Sequence, residues 1–421
     1  MNRIKHHTLK VIKHPLFSGS VIMFVGNMGA NGINYVYHLV MGRMLGPVNY
    51  GVLASLYSIM YLVSIIPSSA SVSIVKFVSS AKNSELYSVY TSIKKLIFKL
   101  AIVLAVLMFV MSPSISRFLH IENVSSVALI APVLFFSLVT LVNQSTSQGF
   151  LKFLGFVIPA LISSLAKLLI GVGLILLGWS VFGVMLAIVI GAILAYFYSQ
   201  KFIKKHIKPG KTKDVDLKPF LKYSGPVLLQ SLAFTSIFTI DVVLVKHFLD
   251  PFSAGIYAAI STLGKIIFFA TSPVTSTMFP VVSKRRASNQ SYSKIFLASL
   301  LITASIALVI TAFYWLFPEL AIGVLYGKDY LSAKTDLVWM GAFMLFYTLS
   351  NLLVNFFLSI GKVRIVFVPL LAALAQVGLI WLYHGSITQV IQISLCVTFA
   401  MFICLATYTG YNLVYETKNN E

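Results

Sequence analysis

The chain has 421 residues, 58% of them hydrophobic and 10% charged, with a mean hydropathy of +0.91. That balance excludes a water-soluble globule and calls for hydrocarbon-spanning helices of about 20 mostly apolar residues each. The formal net charge of +21 would make nucleic acid a candidate partner for a soluble protein; in so apolar a chain it reads as orientation charge facing anionic lipid heads, with no nucleic-acid partner.

In chain order, Arg3, Lys5, Lys10 and Lys13 precede an apolar stretch too long for a signal peptide and without a small-x-small cleavage site, so a retained first span is expected. Twelve spans are predicted near 18–41, 51–73, 96–112, 124–147, 155–177, 181–198, 221–247, 254–279, 295–317, 335–358, 364–383 and 388–412. They divide the chain into a six-helix lobe (1–199), a basic linker (200–220) and a second six-helix lobe (221–421), an all-α membrane architecture of two pseudo-symmetric bundles. In the linker, Lys201, Lys204, Lys205, Lys208, Lys211 and Lys213 resemble a nucleic-acid patch but follow span 6 directly, and a solvated linker is the simpler reading. Cys396 and Cys404 share one predicted helix about 12 Å apart along its axis, too far for a disulfide.

With the amino terminus in the cytoplasm, 25 of the 32 Lys and Arg fall inside. Arg43, Arg117, Lys246, Lys328 and Lys334 fall outside, and Lys167 and Lys265 lie within spans. Trp179, Trp315, Trp339 and Trp381 independently mark outer helix ends, where indole prefers the interface. The expectation is a multi-pass protein of the cytoplasmic (inner) membrane with both termini cytoplasmic.

The chain also repeats itself. An offset of 204 lays Leu45, Pro47, Gly51 and Ala54 onto Leu249, Pro251, Gly255 and Ala258, and an offset of 210 lays Lys152 and Pro159 onto Lys362 and Pro369. Repeat-built transporters place their substrate site where the halves meet and rock one half against the other, so duplication points to transport. Pro67 and Pro273 interrupt spans 2 and 8 at near-equivalent places and are candidate hinges.

Polar groups within spans carry the functional signal, because an unpartnered one in lipid is costly. In span 1, Ser20, Asn27, Asn31, Asn34 and His38 occupy an arc of about 60°, a stripe that cannot face lipid and is read as lining a lumen rather than as helix-packing glue. The equivalent positions of span 7 are Ser224, Ser231, Thr235, Phe238 and Val242, so the two copies are lined differently. Lys167, Asp241 and Lys265 are charges within spans, each costing about 2.5 to 3.5 kcal/mol at a helix centre. Lys167 is read as a lumenal cation. For Asp241 and Lys265 two readings stand: a structural ion pair, or an Asp241 that exchanges H+ or Na+ while Lys265 meets an anionic substrate. Their repeat equivalents are Tyr37 and Tyr61. Tyr347, Asn351 and Asn355, four residues apart in span 10, fit either the same lumen or helix packing.

The first hairpin, with Gly42, Arg43, Leu45, Gly46, Pro47, Tyr50 and Gly51, resembles the opening signature of the polysaccharide-biosynthesis flippases of the MOP (multidrug/oligosaccharidyl-lipid/polysaccharide) exporter superfamily. Gln148-Gly149-Phe150 and Leu358-Ser359-Ile360-Gly361-Lys362 are similar to that family's two cytoplasmic turn motifs. The resemblance implies a V-shaped pair of bundles that flips a lipid-linked oligosaccharide on a polyprenyl pyrophosphate from the inner to the outer leaflet, and other polysaccharide assembly proteins as partners. Twelve spans fit a surface-polysaccharide flippase better than the fourteen usual in one for a cell-wall precursor.

Rival classes fit less well. A multidrug antiporter of the related MATE branch shares the architecture, but its cationic substrates favour intramembrane carboxylates, of which only Asp241 is evident. A membrane glycosyltransferase would need catalytic groups converging in an outer loop, and the longest, about 318–334, offers only Glu319 and Asp329. Gly210-Lys211-Thr212 ends like a Walker A motif, but Lys205 stands where its first glycine belongs, and no zinc-type ligand spacing occurs. Neither enzyme activity nor a bound cofactor is expected, apart from a coupling H+ or Na+.

Overall fold

The computed structural model describes residues 15–81, 85–207, 209–210, 218–288 and 290–418. The helices are α1 (Pro15–Val63), α2 (Ile65–Ser80), α3 (Leu86–Phe118), α4 (Val124–Ala128), α5 (Ile130–Gly149), α6 (Leu154–Leu176), α7 (Ser180–His206), α8 (Lys218–Phe248), α9 (Pro251–Ala287), α10 (Ser293–Leu316), α11 (Pro318–Leu325), α12 (Asp336–Ser359), α13 (Phe367–Leu382) and α14 (Ile387–Lys418). Among the described residues there is no strand. Ten helices there are long and apolar enough to cross a membrane, one for each of predicted spans 3 to 12. The amino-terminal basic residues and Lys208, Lys211 and Lys213 lie outside the described residues, as do the side chains of Ser20, Pro67 and Ser224.

Two compact units emerge: Met1–Leu45 with Val63–Leu228, and Gly46–Leu62 with Leu229–Glu421. This differs from the simple division at 200–220, because the second stretch of α1 packs in unit two. Helix α1 bends at Gly46, whose φ of 69° and ψ of 173° lie outside helical values, and Pro47 follows with no N–H to give. Beyond the bend, a Cβ on Gly51 would lie 2.8 Å from the Gly255 nitrogen, and one on Gly255 would lie 1.8 Å from the Pro47 oxygen. Only glycines permit so close a crossing. The Tyr50 hydroxyl reinforces it, 3.1 Å from Thr262 Oγ1 and 3.1 Å from the Tyr326 hydroxyl. The predicted span 51–73 also proves to be two helices, since α1 ends at Val63 and α2 begins at Ile65, just before Pro67.

Within unit one, α6 and α7 approach closely at Gly191, where a Cβ would meet the Ser163 oxygen at 2.9 Å, beside the Lys167 backbone. The first stretch of α1 runs parallel to α6. Gly26 abuts Val157, Gly29 faces Leu161 and Met41 reaches Gly171 in ascending order. Apolar residues exposed along α3, among them Val103, Phe109 and Val110, form the hydrocarbon-facing side.

Within unit two, α12 is the central helix, buried along its length from Leu337 to Phe357 and packed against α9, α10 and α14. The α8–α9 turn is set by Asp250, whose carboxylate accepts from the Phe252 and Ser253 amides at 3.0 Å each, with Pro251 at the first helical position. The Ser253 hydrogen bonds hold its carboxyl below the usual range. Trp179, Trp315, Trp339 and Trp381 are all exposed near helix ends.

Candidate functional site

In unit one, the α1 stripe flanks the α6 contact. Ala30, Tyr37 and Met41 are buried against the bundle, while Val25, Met28 and Val36 are exposed on the opposite side of the helix. Between these faces, Asn27, Asn34 and His38 are half-buried and Asn31 is exposed. Asn34 Oδ1 is a buried acceptor with no hydrogen-bond partner among the described residues. Lys167 projects from α6 beside this stripe, with its ammonium 4.5 Å from the centroid of the Tyr37 ring, and Tyr37 meets the His38 ring edge-on at 5.3 Å. The structure therefore brings His38 and Lys167 to Tyr37, a residue that sequence reasoning entered only as a repeat equivalent, with Asn34 three residues before it on the same helix.

In unit two, Asp241 is 1% exposed, and its Oδ2 accepts from the Tyr257 hydroxyl at 2.6 Å while its Oδ1 accepts from the Val242 amide at 2.8 Å. The direct Asp241–Lys265 ion pair is not formed. The two charges act on each other at longer range, and the Lys265 ammonium lies 4.7 Å from the Phe238 ring centroid. A cation over an aromatic face is stabilised by the ring quadrupole, more so where water is excluded. Phe238 belongs to a cluster with Phe268 (5.2 Å between centroids) and Tyr347 (5.6 Å), and the Tyr347 hydroxyl donates to the Phe234 carbonyl at 3.2 Å. Asn355 donates to Asn351 along its own helix, so that pair serves α12 and not the lysine.

Both lysines thus rest on aromatic faces supplied by the first helix of their own repeat, Tyr37 on α1 and Phe238 on α8. Phe238 occupies the repeat position of Asn34, and Tyr37 that of Asp241. The signal that finds Tyr257 is its spacing of 16 residues from Asp241 across a short hairpin, which brings two antiparallel helices to the same depth. No group of three or more His, Cys, Asp and Glu placed to hold a metal ion occurs among the described residues.

Charged groups are thus embedded in both copies of a duplicated helical chain. The fold matches the lipid II flippase MurJ in an inward closed conformation, with a TM-score of 0.75 at 13% identity over 93% of this chain and 87% of that one. It also matches an inward-facing multidrug resistance MATE family transporter of the MOP superfamily, with a TM-score of 0.69 at 14% identity over 90% and 95% of the two chains. An uncharacterized membrane protein of Methanocaldococcus jannaschii is 25% identical over 291 residues, 64% of this chain and 68% of its own. Residues 16–286, more than half the chain, match the family model described as polysaccharide biosynthesis protein, and the chain belongs to that family. It is a multi-pass membrane protein, and its fold is the one these solved transporters share.

Proposed function

We propose that the protein moves a polyprenyl-(pyro)phosphate-linked oligosaccharide from the inner to the outer leaflet by alternating access, for surface polysaccharide biosynthesis. The observation that carries this reading is the pair of membrane-embedded lysines, Lys167 over Tyr37 and Lys265 over Phe238. A ring face steadies an ammonium through its quadrupole and carries no net charge of its own, and a cation so placed suits an anionic head group. The amides of Asn27, Asn31 and Asn34 add donors and acceptors suited to sugar hydroxyls. Asp241, held by Tyr257 and within electrostatic reach of Lys265, is the group that would exchange the coupling H+ or Na+. The family description and the lipid II flippase among its structural neighbours support a lipid-linked substrate. The bias of Lys and Arg supports cytoplasmic termini and an inner-membrane address, where other polysaccharide assembly proteins would be its partners.

The second reading, an ion-coupled multidrug antiporter, rests on the MATE fold neighbours and on Asp241. Reconstitution into liposomes separates the two. Wild type is expected to flip a fluorescent polyprenyl-pyrophosphate oligosaccharide, and Lys167→Ala with Lys265→Ala to abolish flipping. Transport of a cationic dye alone, indifferent to both lysines and lost in Asp241→Asn, overturns the flippase reading in favour of the antiporter.

A further inference from the structure

A second polar cluster lies in unit one where α3 begins and α7 ends, apart from the lysine and aspartate sites above. The Tyr90 hydroxyl donates to Asn143 Oδ1 at 2.9 Å, and Asn143 Nδ2 donates to Ser199 Oγ at 3.0 Å and to Gln200 Oε1 at 3.4 Å. Gln200 Oε1 in turn accepts from Lys94 Nζ at 2.8 Å, and that ammonium lies 5.5 Å from the Tyr90 ring centroid. Tyr90, Asn143 and Ser199 are buried. Three helices therefore fix one carbonyl oxygen, and through it the position of a lysine.

Gln200 satisfies one of the three ammonium donors of Lys94. Lys204, one turn beyond Gln200 on α7, lies near enough for the two positive charges to repel each other. Neither lysine pairs with a carboxylate among the described residues. Sequence reading gave Lys204 to a solvated linker, yet α7 continues to His206 and carries it on the face that holds Gln200. Two like charges held together from separate helices gain most from an anion between them. Further into the membrane, Phe98, about one turn beyond Lys94 on α3, and Phe197, about two turns before Lys204 on α7, are exposed, 41% and 63% respectively. A pair of cations at the membrane end of two helices, with exposed apolar rings deeper on the same helices, suits a lipid, charged at the head and apolar below, better than a soluble anion.

We propose that Lys94 and Lys204, positioned by Gln200, bind the phosphate head group of an anionic membrane lipid whose acyl chains run over Phe98 and Phe197. The site is separate from the lumenal lysines and stands whether the transported molecule is a lipid-linked sugar or a drug.

Native mass spectrometry of the purified full-length protein, titrated with phosphatidylglycerol or phosphatidylcholine, tests it. Wild type is expected to retain phosphatidylglycerol preferentially. Lys204→Gln and Lys94→Gln should each lower retention about fivefold, the effect of one basic residue at an anionic surface. Lys94→Arg should keep it, and so should Lys294→Gln, which removes the same charge on α10. Lys204 is exposed and makes no side-chain hydrogen bond or ion pair among the described residues, so its variant stands even where Lys94→Gln misfolds. Unchanged retention in Lys204→Gln, or an equal loss in Lys294→Gln, overturns the proposal. Binding of inorganic pyrophosphate with no lipid retained would overturn the lipid assignment.

Discussion

The two copies of the hairpin, Leu45-Gly46-Pro47 and Leu249-Asp250-Pro251, begin from the same template and end differently. In the second copy Asp250 caps α9, so the chain stops one helix and starts another within the same unit. In the first copy Gly46 bends the backbone to a φ of 69° without a cap, and the stretch beyond it packs with the other unit. The two copies thus differ at one repeat position, an uncapped glycine bend in the first and an aspartate cap in the second, and in the unit that the following stretch joins. The lining diverges in the same way: Asn34 and Tyr37 in one copy stand where Phe238 and Asp241 stand in the other.

The largest effect is expected at the crossing. Gly255→Ala places a Cβ 1.8 Å from the Pro47 oxygen, a backbone atom that cannot step aside cheaply, and should lower stability by about 3 kcal/mol. Gly51→Ala, whose nearest atom is at 2.8 Å, should cost less, and Gly32→Ala, with nothing within 4 Å, should be neutral or stabilising. Thermal melts of the three variants give the order directly; equal midpoints would remove the crossing from the description.

Next comes the hydrogen bond that unit two has and unit one lacks. Tyr257→Phe leaves the Asp241 carboxylate without its side-chain donor and should cost about 1.5 to 3 kcal/mol, with a matching coupling energy in a double-mutant cycle with Asp241→Asn. Strict additivity would show that the bond contributes nothing.

The bend itself ranks third. Gly46→Ala puts a Cβ at φ 69° and ψ 173°, a region essentially reserved for glycine, and should cost about 2 kcal/mol; Gly46→Asn should cost as much, because that ψ lies outside the left-handed well Asn tolerates. If melts show either variant as stable as wild type, the bend does not depend on glycine.

The smallest effect is at the cap, where Asp250→Ala should cost about 1 kcal/mol. Because its carboxyl is held below the usual range by the Ser253 hydrogen bonds, the folded state binds fewer protons there than the unfolded one. The stabilisation is therefore complete above about pH 4 and is lost as pH falls through the folded value. The wild-type to Asp250→Ala difference in melting should shrink on acidification, and a constant difference down to pH 3 would count against the cap.

Much of this was legible in the sequence. Spans 3 to 12 follow from apolar length alone, and the repeat follows from Leu, Pro, Gly and Ala at a fixed offset. That 46–62 joins unit two was not legible, because composition carries no label for the unit a stretch packs against. The Asp241–Lys265 relation was half legible: rise per residue fixes depth along a helix but not which side faces the neighbour. Tyr257 reaches the carboxylate while Lys265 turns to Phe238. The α1–α2 break had its signal in Pro67, which reads equally as a kink within one helix.

Gly51 and Gly255 occupy the same position of the duplicated sequence, and they touch. At this one point two backbones stand where a side chain would otherwise lie, so a substitution at either position must displace both helices at once.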